Sequence, residues 1–279
     1  VRVAQGKLTV KFWGVRGSIA CSGPQYVKYG GNTSCLEIEY GQGGLAILDA
    51  GTGLRELGAR LCEQGLQDAD IFLTHTHMDH IAGIPFFQPF FRKGSTFRLH
   101  AGHLLPDQTL EAVICHFMKA PLFPIPPAIF NADLAFVDFK AGETLRTKDG
   151  LTLKTAPLNH PNGATGYRIE YAGKSICYVT DTEHTPGRRD QTIIDLVRGA
   201  DIMIYDCSYT DDEYPRFSSW GHSTWQEGVR LCEAADVGQL AIFHHDPSHD
   251  DAFMDRIAKE AEALRPGTIV AREGMVLTP

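Results

Sequence analysis

Phe72-Leu73-Thr74-His75-Thr76-His77-Met78-Asp79-His80-Ile81-Ala82-Gly83 is the stretch that governs the rest of the chain. An apolar β run, Ile71 to Leu73, leads directly into three histidines and an aspartate, and Gly83 and Pro85 then open an apolar segment. In extended backbone the side chains alternate faces, so His75 and His77 point the same way. A helix starting just beyond them puts Asp79 and His80 on its first turn, facing the same hollow from another side. Imidazole and carboxylate are the ligands that zinc and similar divalent ions take, and two such pairs can hold two ions rather than one.

Working outward, Leu8 to Trp13 is expected as a first strand, Cys35 to Tyr40 as a second and Leu45 to Leu48 as a third, with Gly41 to Gly44 as the turn between the last two. Thr52 is placed to cap a helix with Leu54, Leu57 and Leu61 on one face, closed by Gly65. Beyond the histidines, residues 81–150 are expected to be a variable, pocket-lining insert. It holds the aromatic run Phe86 to Phe91, a strand from Phe97 to Ala101 and a helix from Thr109 to Met118. Lys119 to Pro127 is too rich in proline for helix or central strand. The second half repeats the pattern, with strands at Ala135–Phe139, Leu151–Thr155, Gly166–Tyr171, Ser175–Val179, Ile202–Tyr205 and Leu240–Phe243. Helices are expected around Ile193–Val197, from a capping box at Ser223 and Gln226, and over Phe253–Leu264. A last strand, Thr268–Leu277, is broken at Gly274. No linker or repeat divides the chain, so residues 1–279 are expected to be one domain. Three further ligand candidates stand at or just past the ends of apolar strands: His160, Asp181 and one of His244 and His245.

Composition narrows the function. Lys and Arg number 26 against 34 Asp and Glu, a formal charge of −8. That argues against a nucleic-acid surface, which needs clustered cations. Small anions stay compatible because bound metal ions supply local positive charge. Seven cysteines without a C-x-x-C pattern fit buried thiols in a reducing compartment. Residues 1–10 lack the basic and then apolar pattern of a leader, and no apolar run is long enough for a membrane span, so a cytoplasmic protein with no membrane partner is expected.

The order Asp49, H-x-H-x-D-H, His160, Asp181, His245 resembles the metallo-β-lactamase superfamily. Trp220-Gly221-His222-Ser223-Thr224 after the Ile202–Tyr205 strand is similar to its tRNase Z and small-molecule phosphodiesterase branch. The resemblance implies an α/β (α+β) fold: a four-layer αβ/βα sandwich of two mixed sheets flanked by helices. It also implies that His75, His77 and His160 hold one metal, that Asp79, His80 and His245 hold a second, and that Asp181 bridges them. His245 is preferred to His244 because Ile242-Phe243-His244-His245 is similar to the Leu-Thr-His strand end of that branch. Asp49 is expected to buttress a ligand histidine. Oxygen and nitrogen ligands without thiolate admit Zn first, then Mn or Fe. An Asp rather than a Cys at 181 disfavours β-lactam hydrolysis.

The implied function is hydrolysis of a small phosphodiester, such as a cyclic nucleotide or cyclic phosphate. A water shared by two cations becomes a nucleophile near neutral pH; Asp79 orients or deprotonates it and His222 protonates the leaving oxygen. His222 and Arg16 are the expected substrate contacts; Gly14 to Ser18 and Tyr29 to Ser34 also resemble that branch, and Arg16 there either binds phosphate or pairs with a core carboxylate. The alternatives are a thioester or lactone hydrolase, a tRNase Z-like endonuclease, and a metal-bound sensor without turnover. The Phe-rich and Pro-rich stretches are read as pocket walls or, alternatively, as a homodimer interface.

Overall fold

The computed structural model describes residues 7–279; most of the opening segment inspected for a leader lies outside the described residues. Among the described residues fourteen strands form two sheets of seven. The first sheet contains β1 (Leu8–Gly14), β2 (Cys35–Tyr40), β3 (Gly44–Leu48), β4 (Asp68–Leu73), β5 (Thr96–Ala101) and β6 (Asp133–Asp138). The second contains β7 (Thr144–Arg146), β8 (Thr152–Leu158), β9 (Ala164–Tyr171), β10 (Lys174–Val179), β11 (Ile202–Asp206), β12 (Gln239–Phe243) and β13 (Ile269–Val270). The last strand, β14 (Val276–Leu277), crosses back to pair with β1, so the turn at Gly274 sends the chain's end to the opposite sheet. Strands β3 to β6 run parallel, as do β10 to β13.

Strand alternation sorts the core into layers. Leu36 and Ile38 of β2, Leu48 of β3, Ile176 and Tyr178 of β10 and Ile204 of β11 fill the space between the sheets. Their neighbours point outward. Ile47 and Ile71 meet α1 (Gly53–Glu63), and Met203 and Ile242 meet α4 (Gln191–Val197), α6 (Trp225–Ala235) and α7 (Asp251–Leu264). Because both faces of these strands are covered, they read as continuous apolar runs. The short α2 (Met78–Ile81) follows β4, and α3 (Leu110–Phe117) and α5 (Tyr214–Phe217) complete the set. Two mixed sheets flanked by helices are the four-layer sandwich expected from the sequence.

Several local expectations are corrected. Residues 81–150 contribute to both sheets: β5 and β6 extend the first and β7 extends the second. Phe87 and Phe90 do not line a pocket, being fully buried and edge-to-face with each other and with Phe97. Phe86, Phe91, Leu122, Ile125 and Ile129 are exposed. The helix after His222 is capped by Thr224, whose side chain accepts from Glu227 N–H. Ser223 instead accepts from Tyr205 and His184, so its hydroxyl ties loop to core. Thr52 occupies the start of α1, but its hydroxyl bonds Asn32 and Thr33 rather than the helix.

Candidate metal centre

Binding sites on such sheets form beyond the carboxyl ends of parallel strands, and here both sheets deliver their polar residues to one hollow. His75 and His77 follow β4, and His77, in extended backbone, stands at the N-terminal boundary of α2, which carries Asp79 and His80. Asp181 follows β10, Asp206 ends β11 and His244 follows β12. Among the described residues the donors form four overlapping groups: His75, His77 and His160; Asp79, His80, Asp181 and His244; and, sharing members with these, His160, Asp181 and His222, and Asp206, His222 and His244. The first two hold six residues named from the sequence, together with His244.

The histidines are held so that one nitrogen each is left over. His80 Nδ1 donates to Asp49 at 2.8 Å. His75 Nδ1 lies 3.1 Å from Thr74 Oγ1, His244 Nδ1 is 3.0 Å from Ser208 Oγ, and His160 Nδ1 donates to Gly221 C=O at 2.8 Å. Such outer bonds fix the tautomer and aim the other nitrogen. The Nε2 atoms of His75, His80 and His244 are accordingly buried without a hydrogen-bond partner. In the second group, Asp181 Oδ2 is 3.2 Å from both His80 Nε2 and His244 Nε2, and Asp79 Oδ2 is 3.3 and 3.5 Å from the same two atoms. In the first, His77 Nδ1 and His160 Nε2 are 3.1 Å apart, and Asp181 Oδ1 lies 3.8 and 3.7 Å from His75 and His160. Tetrahedral zinc with bonds of about 2.0–2.1 Å has ligand–ligand edges of about 3.3–3.4 Å. The donor set therefore fits two divalent cations, with one Asp181 oxygen turned to each group.

Charge points the same way. Burial opposes ionisation of Asp79 and Asp181, yet His80 and His244 outweigh it and hold both carboxyls below their ordinary range. Burial, with His80 and other imidazoles, pushes His75 well below its usual value, and burial also lowers His160, so both keep free lone pairs. Asp49 accepts not only from His80 but from Thr74 N–H at 2.7 Å and Tyr178 O–H at 2.8 Å, all fully buried. It is a buttress rather than a member of either donor group.

His222 stands beside the donors, stacked on His244 with ring centres 4.9 Å apart. Its Nδ1 donates to Asp206 at 3.0 Å. Burial would lower this imidazole, but Asp206, Asp181 and Asp79 prevail and push it up to about 9. Asp206 is the residue that sequence reasoning missed. Its Oδ2 also takes Thr182 N–H, while Oδ1 takes Ser208 O–H, which in turn meets His244. A carboxylate ending a buried strand opposite a histidine-bearing loop was the available signal.

Two expectations fail. His245 does not reach the hollow: its Nε2 donates to Ala271 C=O at 2.8 Å and its ring lies edge-on to Tyr29. His244 takes that place because its backbone is left-handed, with φ 62°. Arg16 is fully buried and faces away, donating to the carbonyls of Gly30, His249 and Asp246. Its loop nonetheless serves the site, since Ser18 N–H donates to Asp79 at 2.7 Å. Gly17 must lack a side chain because a Cβ there would meet the His244 ring at 2.4 Å. Of the other histidines, His116 is exposed, and four are tied to neighbours outside the two main donor groups: His100 pairs with Asp70, His249 with Glu213, His103 with Thr76 and His184 with Ser223.

A family model described as "Beta-lactamase superfamily domain" matches residues 46–245, which run from β3 to the histidine pair after β12. The chain belongs to this superfamily. Ribonuclease BN of Citrobacter koseri is 30% identical over 143 residues, 51% of this chain and 43% of that protein. Ribonuclease Z of Parabacteroides distasonis is 26% identical over 177 residues, covering 63% and 51%. These two matches span about half of each relative's length, whereas ribonuclease BN of Escherichia coli O157:H7, 25% identical, is covered to 88%. Among solved structures, the metallo-beta-lactamase fold protein YhfI from Bacillus subtilis superposes with TM-score 0.73 at 20% identity, covering 99% of this chain and 100% of that one. A diphosphatase from the PhnP family gives 0.70 at 20% identity, with 97% of each chain covered. Human tRNase Z, short form, gives 0.66 at 17% identity, covering 96% of this chain and 98% of that one. These likenesses establish the metallo-β-lactamase fold. Among the described residues no helix is long and apolar enough to cross a membrane.

Proposed function

We propose that this superfamily member is a dinuclear metal-dependent hydrolase of a small phosphodiester. The observation that carries the proposal is the pairing of a two-cation donor set with His222, an imidazole tied to Asp206 at its edge. Bound at the two donor groups, divalent cations would supply an activated water and neutralise charge on the phosphoryl oxygens. Zn is the first choice and Mn or Fe the alternatives, since the donors are nitrogen and oxygen.

The chain's own residues do the rest. His75, His77 and His160 would hold one cation, Asp79, His80 and His244 the other, with Asp181 shared. Asp79, fixed by Ser18 N–H, orients the water. Asp206 holds the Nδ1 proton of His222, which leaves Nε2–H to be given to the departing alkoxide. A cytoplasmic setting is part of the proposal, supported by seven cysteines with no disulfide among them.

A small substrate is supported by the segment between His160 and Asp181. It is filled by the β9–β10 hairpin, turning at Ala172 and Gly173, and carries no extended basic arm. The net charge of −8 also disfavours a polyanion. Cleavage of pre-tRNA is the second reading, favoured by the ribonuclease names of the relatives. Homodimerisation through Phe86, Leu122 and Ile125, all exposed, is compatible with either.

The test is a panel of cyclic mononucleotides, linear dinucleotides, thioesters and pre-tRNA with wild type and His222→Ala. His222→Ala is expected to keep its metal and to lose most activity on esters with poor leaving groups. Equal loss for good and poor leaving groups would remove the proton-donor role. Turnover of pre-tRNA alone would overturn the small substrate.

A further inference from the structure

The loop between α5 and α6 carries an aromatic residue that the chemistry above leaves unused. Trp220 is 61% exposed, while Trp225 is buried and Trp13 is half-buried with its indole N–H on Glu37. The exposed indole is held on a clamped backbone. Ser219 and Gly221, on either side, both have left-handed φ, at 76° and 86°. Both donate their amide N–H to the carboxylate of Glu183, at 2.7 and 2.8 Å, and Trp220 N–H donates to Phe217 C=O.

The clamp is built into the metal centre. Gly221 C=O accepts from His160 Nδ1, and a Cβ on Gly221 would meet that nitrogen at 2.4 Å. The next residue is His222. The rings are connected as well: Trp220 packs edge-on to Phe217 at 5.5 Å, Phe217 stacks on Tyr209 at 4.4 Å, and Tyr209 meets His222 at 6.2 Å. A continuous aromatic run thus leads from the proton donor to an indole open to solvent.

We propose that Trp220 is a specificity-determining platform on which a planar ring of the substrate's leaving half, a nucleobase or an aryl group, stacks. The proposal rests on the phosphodiester reading. A leaving oxygen that takes its proton from His222 puts the leaving half beside this loop. There Trp220 is the only exposed indole among the described residues. Aromatic faces bind rings without reading their edges, so the platform selects for a ring rather than for one base. Glu183, its carboxylate occupied by two amides, fixes where that face stands.

Metal-loaded protein titrated with adenosine 5′-monophosphate and with ribose 5-phosphate tests this, because the two share phosphate and sugar and differ in the ring. Calorimetry and tryptophan emission are the readouts. Wild type is expected to bind the nucleotide roughly 10-fold more tightly, with quenching of the exposed indole. Trp220→Ala should abolish both the quench and the preference while leaving ribose 5-phosphate affinity unchanged; Trp220→Phe, which keeps a ring, should retain most of the preference. Equal affinities in wild type, or a preference that survives Trp220→Ala, would overturn the platform. Hydrolysis of methyl 4-nitrophenyl phosphate is scored separately. Turnover without ring preference sinks the platform alone, and ring preference without turnover of any diester sinks the phosphodiester reading alone.

Discussion

Replacing His244 and His245 one at a time separates two adjacent histidines whose roles the sequence leaves interchangeable. His244 supplies one of four donors in the group with Asp79, His80 and Asp181. His244→Ala is therefore expected to drop metal content from about two to about one equivalent per chain. Activity should fall by at least about 100-fold, the upper end of what loss of a mere supporting residue costs. His245→Ala removes no donor. It strands the buried Ala271 carbonyl, which costs about 1–3 kcal/mol, and it leaves a cavity against Tyr29 worth about 1–2 kcal/mol more. A total of about 3 kcal/mol corresponds to a melting temperature lower by roughly 6–12 °C in a chain of this size. Metal analysis of gel-filtered protein, thermal melts and hydrolysis of bis(4-nitrophenyl) phosphate report the three quantities. Loss of one metal from His245→Ala, with both retained in His244→Ala, would refute the assignment.

Three further perturbations follow from the same geometry. Asp206→Asn withdraws the carboxylate that, against burial, holds the His222 proton up to about 9. The falling alkaline limb of kcat should then move to lower pH, and kcat for alkoxide leaving groups should drop by about 10²–10⁴; an unmoved limb in the pH–rate profile would count against the pairing. Chelation should lower the melting temperature, because cations at about 100 times their Kd stabilise the folded chain by about 2.7 kcal/mol per site. Calorimetry before and after adding back Zn or Mn checks this. Asp70 has its carboxyl held down to about 2 from 3.8, since bonds from His100 and Arg98 overcome burial. A carboxyl depressed on folding stabilises above its unfolded value and loses that contribution as pH falls from about 4 to about 2. Urea titrations should show Asp70→Asn less stable than wild type by about 1–2 kcal/mol at pH 7, with the gap shrinking steadily below pH 4.

The frame of this fold is legible in sequence because its central strands are buried on both faces and end abruptly in polar residues. Cys35–Tyr40 matches β2, and Leu240–Phe243 lies within β12. The H-x-H-x-D-H stretch is legible for the same reason, since only a gathered site explains four ligand-type side chains at the end of an apolar run. Arg16 is not. A cation on a Gly-rich turn reads as a partner for an anion, phosphate or carboxylate, whereas the groups that hold it are carbonyls of residues 30, 246 and 249. Phe87 and Phe90 were unreadable for the opposite reason, as an aromatic run lining a pocket and one filling a core have the same composition. Asp206 closes a strand like any other polar residue. Its importance comes from Ser208, Thr182 and His222, each near it only in space.

The choice between His244 and His245 shows where strand logic stops. Along β12, Ile242 faces the helices and Phe243 faces the opposite sheet, and alternation extended one step would turn residue 244 back toward the helices. The structure breaks alternation at that residue. His244 has φ 62°, and Asp49 and Asp181, which follow β3 and β10, have φ 57° and 59°. Asp, Asn and His are the side chains enriched at positive φ outside glycine, but each such residue still costs about 1–3 kcal/mol. Three of them at three strand ends place backbone strain where it turns two donors, Asp181 and His244, and the buttress Asp49 behind His80 away from the path a continuing strand would take. With histidine at both positions, residue type cannot tell which one bends. The contacts that impose the bend can: Gly17 leaves room against the His244 ring, Ser208 fixes its Nδ1, and Val15 C=O takes the N–H of His245. Which of the two histidines joins the donor group is therefore set by Ser208 and by the loop at residues 15–17, the latter more than two hundred residues upstream of the histidines it sorts.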